Sequence, residues 1–164
     1  MNLDSYDLQT LLLTALRSEI EARHIYNKMA NRVKNFMLKD RMNFLADEEK
    51  KHANFFRVMY EQKFPGSDIE LPEKSPVPLP GIRIDDESLP ISDLIGDAME
   101  AEKAAHDFYM HLSERYSDNA DVKNMLIYIA TMEMGHYKLL EIEQENCRVF
   151  ESFDITWPLM HVGP

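Results

Sequence analysis

Cysteine occurs once in the 164 residues, at Cys147, so the chain has no intrachain disulfide and no Cys-x-x-Cys pair of the kind that binds metal or runs thiol redox chemistry. A reducing compartment fits that usage. Cations are scarce too. Eighteen Lys and Arg stand against 29 Asp and Glu, and the net charge of -11 repels nucleic-acid backbones and anionic bilayers. Neither nucleic acid nor a membrane is therefore an expected partner. The longest early apolar run, Leu11 to Leu13, follows no basic segment and is far too short for a signal peptide or a membrane span. These absences together predict a soluble, cytoplasmic protein. Period-two alternation of apolar and polar residues is missing as well, which removes the signature of a half-buried sheet.

What remains is helical. Apolar residues make up 45% of the chain and charged residues 29%, a composition that supports one compact core at this length. Glycine occurs only five times, and six of the eight prolines crowd between Phe64 and Pro90, a stretch that cannot be helix. On either side, apolar residues recur at steps of three and four. The pattern predicts helices over about 5–34, 37–63, 92–116 and 119–149, with Ser5, Ser92 and Asn119 as N-caps. Short polar links make two antiparallel hairpins. The Pro-rich stretch, 64–91, is long enough to return along the bundle, so the third helix can run parallel to the second. The expected fold is an all-α, antiparallel four-helix bundle of ferritin-like topology over residues 1–150, with one long crossover between helices 2 and 3. A tail, 151–164, carries Phe153, Trp157 and Met160 and is expected to pack on the bundle or on a second subunit; a homodimer is the expected assembly.

The hairpins resemble each other. Aligning Tyr26 with Tyr109 sets Ala15-Leu16-Arg17-Ser18-Glu19 on Ala98-Met99-Glu100-Ala101-Glu102, and Phe44-Leu45-Ala46 on Tyr128-Ile129-Ala130 follows at nearly the same offset. One hairpin reads as a duplicate of the other.

Glu-x-x-His occurs at Glu21/His24, Glu49/His52 and Glu133/His136, and register separates the three. The apolar stripe of the first helix is Leu8, Leu12, Ala15, Glu19, Ala22, Tyr26, Met29, Val33, with Glu19 inside it. The second is Leu38, Met42, Leu45, Glu49, His52, Phe56, Met59. The third repeats the first as Ile95, Ala98, Glu102, Ala105, Tyr109, Leu112, Tyr116, and the fourth is Leu126, Ile129, Glu133, His136, Leu140. Four Glu and two His are thus expected to face inward. Glu21 lies about 200° from Glu19 around the helix, and Glu21/His24 has no counterpart in the second hairpin, so it reads as a decoy.

A single inward Glu is ordinarily an ion pair or a protonated acid. Four together, with no Lys or Arg near the middle of the stripes, cost several kcal/mol each unless something compensates them. Two divalent cations match four carboxylates in charge and engage both imidazoles. Oxygen donors with one imidazole per metal and no thiolate suit iron, or else manganese. Two iron ions are the expected cofactor, with Glu49 and Glu133 as bridges, Glu19 and Glu102 as terminal ligands, and His52 and His136 completing the set. Positions left open on the metals would take peroxide or dioxygen.

These residues resemble the rubrerythrin branch of the ferritin-like di-iron carboxylate proteins, and the similarity covers about residues 5–150. Ala46-Asp47-Glu48-Glu49-Lys50-Lys51-His52-Ala53 is similar to the rubrerythrin second helix, and Glu19 placed seven residues before Tyr26 is similar to its first. The resemblance implies a site that cycles between ferrous and ferric states, reducing hydrogen peroxide or oxidising ferrous iron with dioxygen. Rubrerythrins proper also carry a four-cysteine rubredoxin domain as electron donor. With one cysteine here, electrons are expected from an external donor protein. Ala105 stands where the rubrerythrin third helix usually bears an extra carboxylate, which removes the group a carboxylate-shifting peroxidase step would use.

Supporting positions follow. Tyr26 and Tyr109, two turns beyond Glu19 and Glu102, are candidates for hydrogen-bonding a ligand or a bound oxygen species, with core packing as the plain alternative. Arg23 and His106 follow the first and third ligands by one turn. Gly135, between Glu133 and His136, either widens access or permits a π-bulge, or else lets a neighbouring helix approach. The eleven methionines read as flexible core filler, and His24, His111 and His161 as surface or tail residues. An iron-handling protein that oxidises or merely binds ferrous iron, and a metal-free structural bundle, are the competing classes.

Overall fold

The computed structural model describes residues 3–156, and side chains through 151. Four helices in the order α1 (Leu8–Arg32), α2 (Phe36–Lys63), α3 (Ile91–Glu114) and α4 (Ala120–Thr156) account for its regular structure, and there is no strand among the described residues. The expected all-α four-helix bundle is the observed one.

The ends differ from the sequence reading in instructive ways. Helix α1 begins not after Ser5 but after Asp7, whose carboxylate accepts the Thr10 N–H at 2.7 Å; that bond satisfies one of the orphan donors of the first turn. Asn35 caps α2, accepting from the N–H groups of Met37 and Leu38. Ser92 is no cap. It lies inside the first turn of α3, where Pro90 precedes the helix without a side-chain bond, and its hydroxyl donates to Glu151 near the far end of α4. Asn119 does cap α4, taking the Val122 N–H at 3.2 Å. Helix α4 runs past the expected end near 149 to Thr156. The packing expected of Phe153 lies beyond the described side chains, and that of Trp157 and Met160, with the role of His161, lies outside the described residues.

Buried side chains form two apolar clusters, one holding Leu11, Leu12, Leu16, Phe56, Tyr60, Phe108, Tyr109, Leu126 and Ile129, the other Tyr26, Met29, Leu38, Met42, Leu45, Leu94, Ile95 and Leu140. Helices α1 and α4 pass from the first cluster to the second, α2 and α3 from the second to the first, so α2 and α3 run parallel. The long crossover makes this possible. It leaves α2 through a turn at Gly66, whose φ of +83° only glycine adopts readily, and then follows α1. Tyr6 donates to the Pro76 carbonyl at 2.9 Å, Arg17 to that of Pro72, Lys28 pairs with Asp85 at 2.7 Å, and Arg32 holds the carbonyls of Asp86, Glu87 and Leu89. Arg83 forks onto Asp97 of α3, both bonds at 2.8 Å. The crossover is therefore strapped across the face between α1 and α3.

Candidate metal centre

Between the two apolar clusters lies a polar layer, one turn of each helix thick. The chain enters it on α1 and α3 with one acid each, Glu19 and Glu102, and on α2 and α4 with an acid and an imidazole three residues apart, which helical geometry sets side by side. None of Glu19, Glu49, His52, Glu102, Glu133 and His136 exposes more than 6% of its surface. Burial here follows from register, since each occupies a position whose neighbours three and four residues away belong to the core.

The six converge. His52 Nδ1 stands 3.0 Å from Glu133 Oε1, 3.2 Å from Glu49 Oε2 and 3.6 Å from Glu19 Oε2. His136 Nδ1 mirrors it at 3.1 Å from Glu49 Oε1, 3.1 Å from Glu133 Oε2 and 3.6 Å from Glu102 Oε2. The imidazole planes are 22° apart with centroids separated by 5.6 Å. Two donor groups result, Glu19–Glu49–His52–Glu133 and Glu49–Glu102–Glu133–His136, each with its donor atoms within 4.8 Å of one another. Glu49 and Glu133 belong to both groups, the positions of bridging carboxylates between two ions.

Residues behind the donors reinforce the arrangement by an exchange between hairpins. The Tyr26 hydroxyl of α1 donates to Glu102 of α3, and the Tyr109 hydroxyl of α3 donates to Glu19 of α1. Each tyrosine thus bonds the acid on the opposite helix, a pairing that the sequence reading, which named only a ligand or a bound oxygen species, left open. Phe56 packs on Tyr109 at 4.9 Å between ring centroids and helps fix the ring.

The cluster carries more negative charge than its surroundings tolerate. Burial, with the charges of Glu133 and Glu49, pushes the Glu19 carboxyl well above the ordinary range, and burial with Glu49 does the same to Glu102. Burial also acts upward on Glu49, but the imidazoles of His136 and His52 outweigh it and hold that group low. Burial alone would strip the proton from either imidazole. The surrounding carboxylates prevail, raising His52 far above its usual value and His136 to about 12. Tyr26 is raised too, by burial and then by the Glu102 charge beside it. Protons are what the protein alone offers to balance these acids, and a pair of divalent cations would take their place.

Whether the donors suit metal can be judged from their unmet bonds. Both oxygens of Glu49, Glu133 Oε1 and His52 Nδ1 are buried without a hydrogen-bond partner, although the groups crowd within 3.0–3.6 Å. Lone pairs that lie close but unaligned converge on common points instead of pairing with each other. Thr14 Oγ1, Tyr116 Oη and His136 Nε2 are also without a partner, but proteins leave few buried polar atoms unmet, and the gathering of four in one layer fits a dinuclear cation site.

Other candidates fall outside the cluster. Glu21 pairs with Arg17 on the surface, and His24 is exposed. His106 Nδ1 lies 3.0 Å from Asp107 at the rim of α3 and joins neither donor group. Arg23 is exposed and lines a surface groove of about 830 Å³ between α1 and α2, with His24, Lys50, Lys51 and Arg57. A Cβ added at exposed Gly135 would meet nothing within 4 Å, so no described helix approaches it, and α4 continues through it as regular α-helix. The close approach of α3 and α4 is at Gly96, where a Cβ would stand 2.7 Å from Gln144 Nε2. Sequence reasoning missed Ile82, a crossover residue that lines a small cavity beside the four acids; nothing in an aperiodic Pro-rich stretch announces such a contact.

Comparison with known proteins agrees with this geometry. A family model described as Rubrerythrin matches residues 10–143. A solved structure, a hypothetical protein from Pyrococcus furiosus, is 35% identical to this chain, with the match covering 91% of this chain and 95% of that one at a TM-score of 0.77. No curated protein matches. With two Glu and two Glu-x-x-His pairs gathered in the core of a four-helix bundle and the family match spanning most of its length, the chain belongs to the rubrerythrin family.

Proposed function

We propose that the protein is a di-iron oxidoreductase of rubrerythrin type that reduces hydrogen peroxide, or dioxygen, with electrons from an external donor protein. The observation that carries this reading is the pair of donor groups sharing Glu49 and Glu133. In it Glu19, Glu49, His52 and Glu133 would hold one iron, and Glu49, Glu102, Glu133 and His136 the other; manganese fits the same donors less well in the presence of two imidazoles. When bound, a ferrous pair would supply one electron from each ion to a small oxidant. For hydrogen peroxide the balance is two electrons and two protons in, the O–O bond broken, and two waters out; the donor protein then restores both electrons.

The chain's own residues do the rest. Tyr26 and Tyr109 fix Glu102 and Glu19 from across the bundle, so the terminal donors keep their orientation. The apolar clusters above and below keep bulk water from the site.

Anaerobically reduced, iron-loaded protein given hydrogen peroxide tests the reading. Repeated consumption of peroxide for as long as a reductant is supplied, at a rate well above that with the same reductant and metal-free protein, supports it. Oxidation of ferrous iron far beyond two per chain, with mineral accumulating and no catalytic peroxide loss, would identify an iron-handling protein instead.

A further inference from the structure

One side of the donor layer faces the crossover across two cavities. A cavity of about 30 Å³ touches Glu19, Glu49, Glu102 and Glu133, and a larger one of about 160 Å³ lies under the crossover. Ser18, Ala22, Ile82 and Ala101 line both, so the two spaces meet at these four side chains. Three of the four are small and come from α1 and α3. Ile82 is the bulky one, and it comes from the crossover. Ala105, also small, widens the inner cavity on the α3 side.

Ile82 does not hang loose. The next residue, Arg83, is bidentate on Asp97 of α3, Asp85 is paired with Lys28 of α1, and the Ile84 N–H donates to the Ile82 carbonyl at 2.9 Å. The side chain is half-buried against the face between α1 and α3. Substitution there changes a constriction without touching any donor.

We propose that small substrates reach the donor layer beneath the crossover, and that Ile82 is the specificity-determining residue of this route. It restricts the site to oxidants of two or three heavy atoms and excludes organic hydroperoxides. An inner space of about 30 Å³ takes about two water-sized molecules. Hydrogen peroxide fits. The aromatic ring of cumene hydroperoxide does not, though the outer cavity is large enough to receive it. The proposal rests on the peroxide-reducing reading above. It fixes the substrate class: HOOH goes to two waters, whereas an organic ROOH, which would go to ROH and water by the same two electrons and two protons, is kept out.

The test uses iron-loaded wild-type protein with Ile82→Ala and Ile82→Phe, checking iron content and melting temperature first. In Ile82→Ala the ratio of kcat/KM for cumene hydroperoxide over that for hydrogen peroxide should rise by about 10-fold or more, the scale on which pocket size discriminates substrates. A second readout needs no turnover: the association rate of azide with the oxidised protein, followed by its charge-transfer absorption, should fall by about 10-fold in Ile82→Phe. Unchanged selectivity and unchanged azide rates in variants of full iron content would overturn the route. A wild-type protein that consumes no peroxide would overturn the peroxide reading instead, and the azide rates would still decide the route.

Discussion

Glu19, Tyr26, Glu49 and His52 of the first hairpin have counterparts in Glu102, Tyr109, Glu133 and His136 of the second, and all eight are buried. On the outside the correspondence breaks. Arg23, His24, Lys50, Lys51 and Arg57, which line one groove on α1 and α2, align with His106, Asp107, Met134, Gly135 and Glu141. A basic face on one hairpin answers an acidic one on the other. The repeat survives where each half completes the other. Tyr26 bonds Glu102, Tyr109 bonds Glu19, and each imidazole stands 3.0–3.1 Å from an acid of the opposite hairpin. Neither hairpin has a whole donor group of its own, so a change inside must suit both halves, while a change outside need suit only one.

The largest break in the symmetry should come from the shared acids. Glu49→Ala or Glu133→Ala removes a donor from both groups at once, and each should weaken metal binding by more than about 100-fold, read as loss of the ferric charge-transfer band and of iron by elemental analysis. If either variant keeps its band and full iron content, that acid is no bridge. The terminal acids sharpen the comparison further. Glu19→Ala and Glu102→Ala each disturb one group, so metal content should fall toward one ion per chain in both, to similar extents.

Register explains how much of this was legible beforehand. Stripes read at steps of three and four turned four Glu and two His inward, and those residues are buried together, because helical periodicity fixes direction within one element. The rejection of Glu21/His24 rested on the same argument, and both residues are at the surface. Periodicity says nothing about which neighbour a side chain meets. The tyrosine exchange depends on how α1 and α3 are set against each other, and so escaped a reading of one helix at a time. Helix ends were shifted because two residues of similar capping strength stand two apart and Asp7, not Ser5, makes the bond, while Ser92 found Glu151 instead of a free backbone N–H. The crossover, without any period, gave no hint that Ile82 would sit beside the acids.

Smaller effects are expected one layer back. Tyr26→Phe and Tyr109→Phe each delete one hydroxyl bond to a terminal acid, which should cost about 10-fold in metal affinity, measured by competition with a chelator. Equal losses support the exchanged pair, and a tenfold gap between them would show that one hairpin dominates. On the outer faces, Arg23→Ala and His106→Ala should leave metal content and the absorption band unchanged, because neither side chain joins the donor layer. Smallest of all is the strap. Arg83 holds the Asp97 carboxyl below its ordinary value, so the pair's stabilisation is present above about pH 4, near the unfolded value, and fades as acid protonates Asp97. With Arg83 largely exposed, Arg83→Ala should lower stability only slightly at neutral pH, and less still below the Asp97 titration, in denaturant unfolding compared at the two pH values.

The most direct measurement is a titration of metal-free protein with ferrous iron under argon, followed by oxidation and scoring of the charge-transfer band. Two donor groups with two shared acids predict an endpoint at two irons per chain, with the band of an oxygen-bridged ferric pair growing in proportion. An endpoint at one, or no saturable binding by protein that is fully folded, would contradict the account.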